Sequence, residues 1–247
     1  MRKRWPLGLC HDNWSRYLKG LLLILFALLF FDVWASRSAI ETPEVWRAPY
    51  AFVTRFGLPD GVLILSLVIF LLTVIGMRLV PAGLWRRATR ELCQVSAFVF
   101  LTIGVSGLAT NILKRLIGRS RPVIYDQVGA FDFRYVLNDW TFQSFPSGHS
   151  TTAMATALVV GFLAPRLFML VLLLALATGL SRIMLGQHYP TDIVGGYVVG
   201  IIGAFAMRNL FARRRWLFAE RPDGTVRFRD LPNLRQAWLR LFQRAAA

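Results

Sequence analysis

Long apolar runs, separated by short polar or basic segments, organise this chain. Windows near residues 21–35, 61–77, 92–113, 150–165, 167–185 and 192–211 are dominated by Leu, Ile, Val, Phe, Ala and Gly. An α-helix crosses the hydrocarbon layer of a bilayer in about 20 apolar residues, so the pattern predicts six membrane spans in an all-α bundle. The fourth window is short. A helix starting at Ser147 rather than Ser150 lengthens it by a turn, and "APR" at residues 164–166 closes a tight hairpin to the fifth, because proline ends a helix cleanly. Past residue 211 the chain turns polar and basic. There Leu234, Ala237, Trp238, Leu241 and Phe242 recur at helical spacing among Arg235, Arg240 and Arg244. This predicts an amphipathic helix with two placements open: flat on the inner leaflet, or packed on the protein's own loops.

Composition narrows the class. Of 247 residues 55% are hydrophobic, more than a soluble core of this size requires, so the expected solvent is lipid. The formal net charge of +16 then points to anionic headgroups rather than nucleic acid. Cys10 lies in the basic leader and Cys93 at the start of an apolar run, which suggests no disulfide framework. The first span reads as a retained anchor, since its basic leader is long and further spans follow. The competing reading is a signal peptide with "ASRSA" at residues 35–39 as its cleavage region. Most of the 29 lysines and arginines lie in segments on the side of the N-terminus, including Arg78, Arg86, Arg87 and Arg90 in one short loop. By the positive-inside rule that side is the cytoplasm. The expected organisation is a basic cytoplasmic N-terminus (1–18), a six-helix membrane domain (19–211) and a basic cytoplasmic tail (212–247).

Three polar clusters then fall together at the outer face. Lys114 and Arg121 sit in "KRLIGRSRP", His149 in "SFPSGHS", and Ser181, Arg182, His188 and Asp192 in "SRIMLGQHYPTD". Ionisable groups at membrane depth are costly and usually pair or serve a function. "PSGH" alone is turn chemistry, but here it leads into a helix whose first amides lack intrahelical partners. Those amides and the positive end of the helix dipole suit a phosphate, and Gly148 lets the backbone approach it. Lys114 and Arg121 read either as phosphate ligands or as anchors snorkelling to headgroups. Arg115 and Arg119 are expected to be headgroup anchors. Arg182, followed by "IML", fits the anchor reading poorly. Arginine offers a planar fork to phosphate oxygens and lysine a point charge. His188 and Asp192 stand four apart, with Pro190 suited to a first helical position. A carboxylate so placed orients one imidazole nitrogen and leaves the other as a nucleophile; the plainer reading is a His–Asp cap on the sixth helix.

The three motifs "K-x6-RP" (114–122), "PSGH" (146–149) and "SR-x5-H-x3-D" (181–192) resemble the three-part signature of the type 2 phosphatidic acid phosphatase family, over roughly residues 92–211. The resemblance implies a lipid-phosphate phosphatase in which His188 attacks phosphorus, His149 protonates the departing alkoxide and Asp192 orients the nucleophile. It implies that Lys114, Arg121, Ser147, Gly148 and Arg182 bind phosphate, with no metal or other cofactor. The partners expected are the membrane and a lipid phosphate, with no nucleic acid; oligomeric state is left open. Bacterial relatives of this kind act on lipid A, undecaprenyl diphosphate or phosphatidylglycerol phosphate. A phosphotransferase passing the phosphoryl group to another lipid is the alternative. Vanadium haloperoxidases share the pattern, but six spans favour a lipid substrate. A transporter is disfavoured because the charges cluster at one face, with Asp32 isolated in the first span. The aromatic-rich outer loop, 122–144, reads as a lid, a headgroup wall or a packed cap.

Overall fold

The computed structural model describes residues 3–135 and 137–245. The side chains of Phe242 and Arg244 lie outside the described residues. Six apolar helices form the bundle: α1 (Trp14–Glu41), α3 (Asp60–Leu79), α4 (Leu84–Ile117), α6 (Gly148–Leu163), α7 (Phe168–Met184) and α8 (Pro190–Arg213). Between them lie α2 (Glu44–Val53), a 3-10 turn at Thr54–Gly57 and the one-turn helix α5 (Tyr125–Val128). Five helical stretches are long and apolar enough to cross a membrane. The exception is α6, whose 16 residues cover about 24 Å, short of a hydrocarbon layer about 30 Å thick.

Burial explains that exception. Most of α6 is buried by α4, α7 and α8, whereas α1 buries Asp32, Ser36 and Ala39 and exposes Leu22, Leu23, Phe26 and Phe30. A helix walled in by other helices has no need to match the lipid thickness. Its packing on α8 is close because Gly196 and Gly200 line the contact. A Cβ at Gly196 would stand 2.5 Å from the Ser147 carbonyl oxygen, and one at Gly200 2.6 Å from that of Thr151. Thr151 ties three helices at this level, donating to the Gly196 carbonyl at 3.1 Å and sharing a 2.9 Å hydroxyl contact with Thr110 of α4.

The N-terminal and C-terminal segments meet at the pole opposite the signature motifs. Arg208, near the end of α8, donates to the carbonyls of Lys3 and Arg4 at 2.7 and 2.8 Å, and Asn209 donates to Arg4 as well. The hairpin of β1 (Phe218–Glu220) and β2 (Val226–Phe228) follows, and Lys3 bridges to Thr225 beside it. The tail helix α9 (Pro232–Ala245) packs on the first turns of α4. Glu91 caps it, accepting from the Leu234 amide at 2.8 Å and from Asn233 at 2.6 Å. Ala237 is buried against this seam while Trp238 and Leu241 stay exposed.

Candidate active site

Each motif is delivered by a helix end. Lys114 occupies the last turn of α4, which stops at Gly118 in the left-handed region (φ 64°). Only glycine suits this stop, because a Cβ there would overlap the Arg134 carbonyl. The chain then runs Arg119–Arg121 and is clamped by the loop that follows it. Ser120 donates to Asp132 O, Arg121 to Thr141 O, Arg134 to Gly118 O and Ser144 to Arg119 O. Of the readings open for residues 122–144, these backbone bonds favour the packed cap.

Ser147 is the N-cap of α6, its Oγ accepting from the Ser150 amide at 3.4 Å and the Ser150 hydroxyl at 3.0 Å. The Ser147 amide donates to the Asp192 carbonyl at 2.9 Å, which joins the "PSGH" segment directly to the start of α8. The amides of Gly148 and His149 have no acceptor among the described residues, so these two are the helix-start donors left for an anion. The turn Thr54–Gly57 packs against His149 and Thr178.

The cations converge. Lys114 Nζ and Arg121 Nη2 both donate to the Gln143 carbonyl, at 3.0 and 3.3 Å. Arg121 also reaches Gln187 Oε1 at 3.2 Å, and Arg182 donates to Thr54 Oγ1 at 3.0 Å. Lys114, Arg182 and His188 are 8%, 9% and 1% exposed, too buried for headgroup anchors. His188 lies in the short link between α7 and α8. Burial drives its pKa well below the usual histidine value, and the positive charges of Lys114, Arg121 and Arg182, with His149, push the same way. The imidazole is therefore neutral at physiological pH, as a nucleophile requires. Its Nδ1 faces Asp192 Oδ2 at 3.5 Å, which turns Nε2 away from the carboxylate. The structure thus brings together Lys114, Arg121, Ser147, Gly148, His149, Arg182, His188 and Asp192.

One expectation is overturned. Arg119 is no headgroup anchor: it is 3% exposed, donating to Asp192 Oδ1 at 2.7 Å, Asp32 Oδ2 at 2.8 Å, Thr191 Oγ1 at 2.6 Å and the Ala130 carbonyl at 3.2 Å. The Gly118 turn points it inward, and its guanidinium stacks on the Tyr189 ring at 4.3 Å. Burial opposes its charge, but Asp192 and Asp32 more than offset this and raise its pKa. Asp32, Ser144 and Thr191 are further site neighbours that the motifs do not name. Arg115, by contrast, is half-exposed and among the described residues bonds within its own helix, to Asn111.

A profile of the PAP2 superfamily matches residues 96–216. The lipid A 1-phosphatase of Rhizobium etli is 32% identical over 201 residues, covering 81% of this chain and 86% of the relative. The chain belongs to the PAP2 superfamily. It is also similar to the undecaprenyl-diphosphatase BcrC of Bacillus subtilis, with 28% identity over 66% of this chain and 80% of that one. The fold is that of the crystal structure of a transmembrane PAP2 type phosphatidylglycerolphosphate phosphatase from Bacillus subtilis, with TM-score 0.53 and 22% identity over 78% of this chain and 95% of that one. As a PAP2 protein with this bundle, the chain is a multi-pass membrane enzyme that hydrolyses lipid phosphates.

Proposed function

We propose that this enzyme removes the 1-phosphate of lipid A at the periplasmic face of a bacterial inner membrane, through a phosphohistidine on His188. The observation that carries the substrate is the 32% identity to a lipid A 1-phosphatase across more than four fifths of both chains; the diphosphatase similarity is lower and covers less of this chain. The site geometry supports the mechanism. Neutral His188 attacks phosphorus through Nε2 while the bond from phosphorus to the lipid oxygen breaks. His149, protonated once the anionic phosphate is bound beside it, gives its proton to that oxygen. A water then attacks the phosphorus, passing a proton back to His149, and the P–N bond breaks to release inorganic phosphate. Lys114, Arg121, Arg182 and the Gly148 and His149 amides hold the non-bridging oxygens, where charge must be stabilised throughout. Asp192 keeps Nδ1 of His188 in place and balances the charge that forms on the ring.

Two measurements test this. Purified enzyme given lipid A, undecaprenyl diphosphate and phosphatidylglycerol phosphate is expected to release phosphate fastest from lipid A, at the 1-position by mass spectrometry; faster release from undecaprenyl diphosphate replaces the substrate assignment. Rapid quenching with a labelled, activated aryl phosphate is expected to give an acid-labile, base-stable phosphoenzyme in His149→Ala and none in His188→Ala. Labelling that survives in His188→Ala removes the phosphohistidine from that residue.

A further inference from the structure

We infer that Asp32 and Arg119 are positioning residues of the reaction, forming with Asp192 a buried carboxylate–guanidinium–carboxylate relay that fixes the partner of His188 and makes α1 part of the active site. The inference rests on His188 being the nucleophile. It concerns a residue, Asp32, that lies outside the stretch matching the superfamily profile, residues 96–216.

The hydrogen bonds locate what sets the angle of Asp192. Its Oδ1 is held by Arg119 at 2.7 Å, and its Oδ2 by the Ser144 hydroxyl at 2.5 Å and the Tyr189 amide at 2.9 Å. His188 stands farther off, at 3.5 Å, so the carboxylate is aimed by these three donors and not by the imidazole. Arg119 is aimed in turn by Asp32, which also accepts from the Thr191 amide at 3.0 Å and the Thr191 hydroxyl at 2.5 Å. Asp32, Arg119 and Asp192 are at most 3% exposed.

Charge supplies the second half of the argument. The groups facing His188 are Lys114 from α4, Arg121 from the segment after it, His149 from α6, Arg182 from α7 and Asp192 from α8. Of these Asp192 alone favours positive charge on the ring. A guanidinium bonded to Asp192 only would cancel much of that effect. A second carboxylate on the same guanidinium leaves the trio with one net negative charge, so Asp192 still acts on His188 as an anion. A mere cap on α8 needs the Asp32–Thr191 bonds and no Arg119 between two acids.

Removing charge at Asp32 and at Arg119 therefore acts on His188 with opposite signs, which a purely structural role does not produce. The acidic limb of kcat/KM reports protonation of the free enzyme's nucleophile. In Asp32→Asn the guanidinium charge is less balanced, His188 is harder to protonate, and the limb is expected to move to lower pH by roughly half to one unit. In Arg119→Gln two uncancelled carboxylates make His188 easier to protonate, and the limb is expected to move up by a similar amount. Both variants are expected to lose about 10- to 100-fold in kcat with KM changed less than about twofold, because the loss lies in orientation. Thr191→Val, which removes α8 cap bonds and no charge, is expected to leave the limb in place. If Arg119→Gln does not accumulate in the membrane, Arg119→Lys must lower kcat without moving the limb. Shifts of one sign in Asp32→Asn and Arg119→Gln, or activity lost in both of these with an unmoved limb, overturn the relay, as does a moved limb or an unchanged kcat in the charge-conserving Arg119→Lys. A phosphoenzyme in His188→Ala overturns instead the reading it rests on.

Discussion

In the proposed reading, Lys114 and Arg121 are two arms of a phosphate clamp that is set before a phosphate arrives. Two cations donating to the single Gln143 carbonyl at 3.0 and 3.3 Å already have the separation needed to share one phosphate oxygen. Arg182, buried in the last turn of α7, completes the set. Arg182→Ala is expected to lower kcat/KM by about 100-fold or more, in the range of a lost transition-state donor, while Arg115→Ala stays within about twofold. Phosphate release from a short-chain lipid phosphate in detergent measures both, and equal losses would reduce the clamp to a diffuse field. The eight signature residues stand out in the sequence by type and spacing, and the fold gathers them in one place. Arg119 does not stand out, since "KRLIGRSR" places four cations in eight positions and spacing alone does not say which one turns inward. A signal does exist: Asp32 is a carboxylate inside an apolar run, and such an acid calls for a cation at the same depth.

Helix ends and helix contacts set how well those residues can meet. Asp192 and His149 stand on different helices, α8 and α6, and the gap between them is fixed by the Gly196–Gly200 face, a small-xxx-small contact of the kind that lets helices in lipid approach closely. Gly200→Leu must push α6 away from α8, since a Cβ alone would already lie 2.6 Å from the Thr151 carbonyl oxygen. It is expected to destabilise the protein by about 1–3 kcal/mol and to lower kcat. Thermal unfolding in detergent and turnover of the same sample check the two effects. Five of the helices are plain from the long apolar windows, because unbroken hydrophobicity over that length fits little besides a membrane span. The extent of α6 is half legible: "PSGH" marks its start, but the burial that permits its shortness depends on α4, α7 and α8. The α2 helix leaves no clear pattern, as "EVWRAPYAFV" is short, mixed in polarity and carries Pro49 inside it.

At the scale of the molecule, the site and the terminal segments occupy opposite poles. The N-terminal segment, the end of α8 and the β1–β2 hairpin are tied by Arg208, Asn209 and an Arg4–Glu220 contact of 3.8 Å. With the basic loops on that side, the site is expected to face the periplasm. A reporter active only outside the cytoplasm is expected to work when joined after Gly129 and to be silent when joined after residue 247. The reverse result would move catalysis to the cytosolic leaflet. The expected polarity rests on the short basic loops; the stitching of the terminal segments leaves no trace in the sequence, because its main contacts use backbone carbonyls that carry no sequence signal. The relay also imposes an order on biosynthesis. Asp32 is made and inserted with the first span, yet the Thr191 groups that later bind it lie 159 residues farther along the chain. Through most of synthesis the nascent membrane intermediate holds an acid without its final partners, at a cost of up to about 2.5–3.5 kcal/mol at bilayer centre and less near an interface. The dense Leu and Phe content of α1 offsets that cost, so the hydrophobicity of this span also serves as the reserve that keeps an active-site carboxylate in the bilayer until α8 arrives.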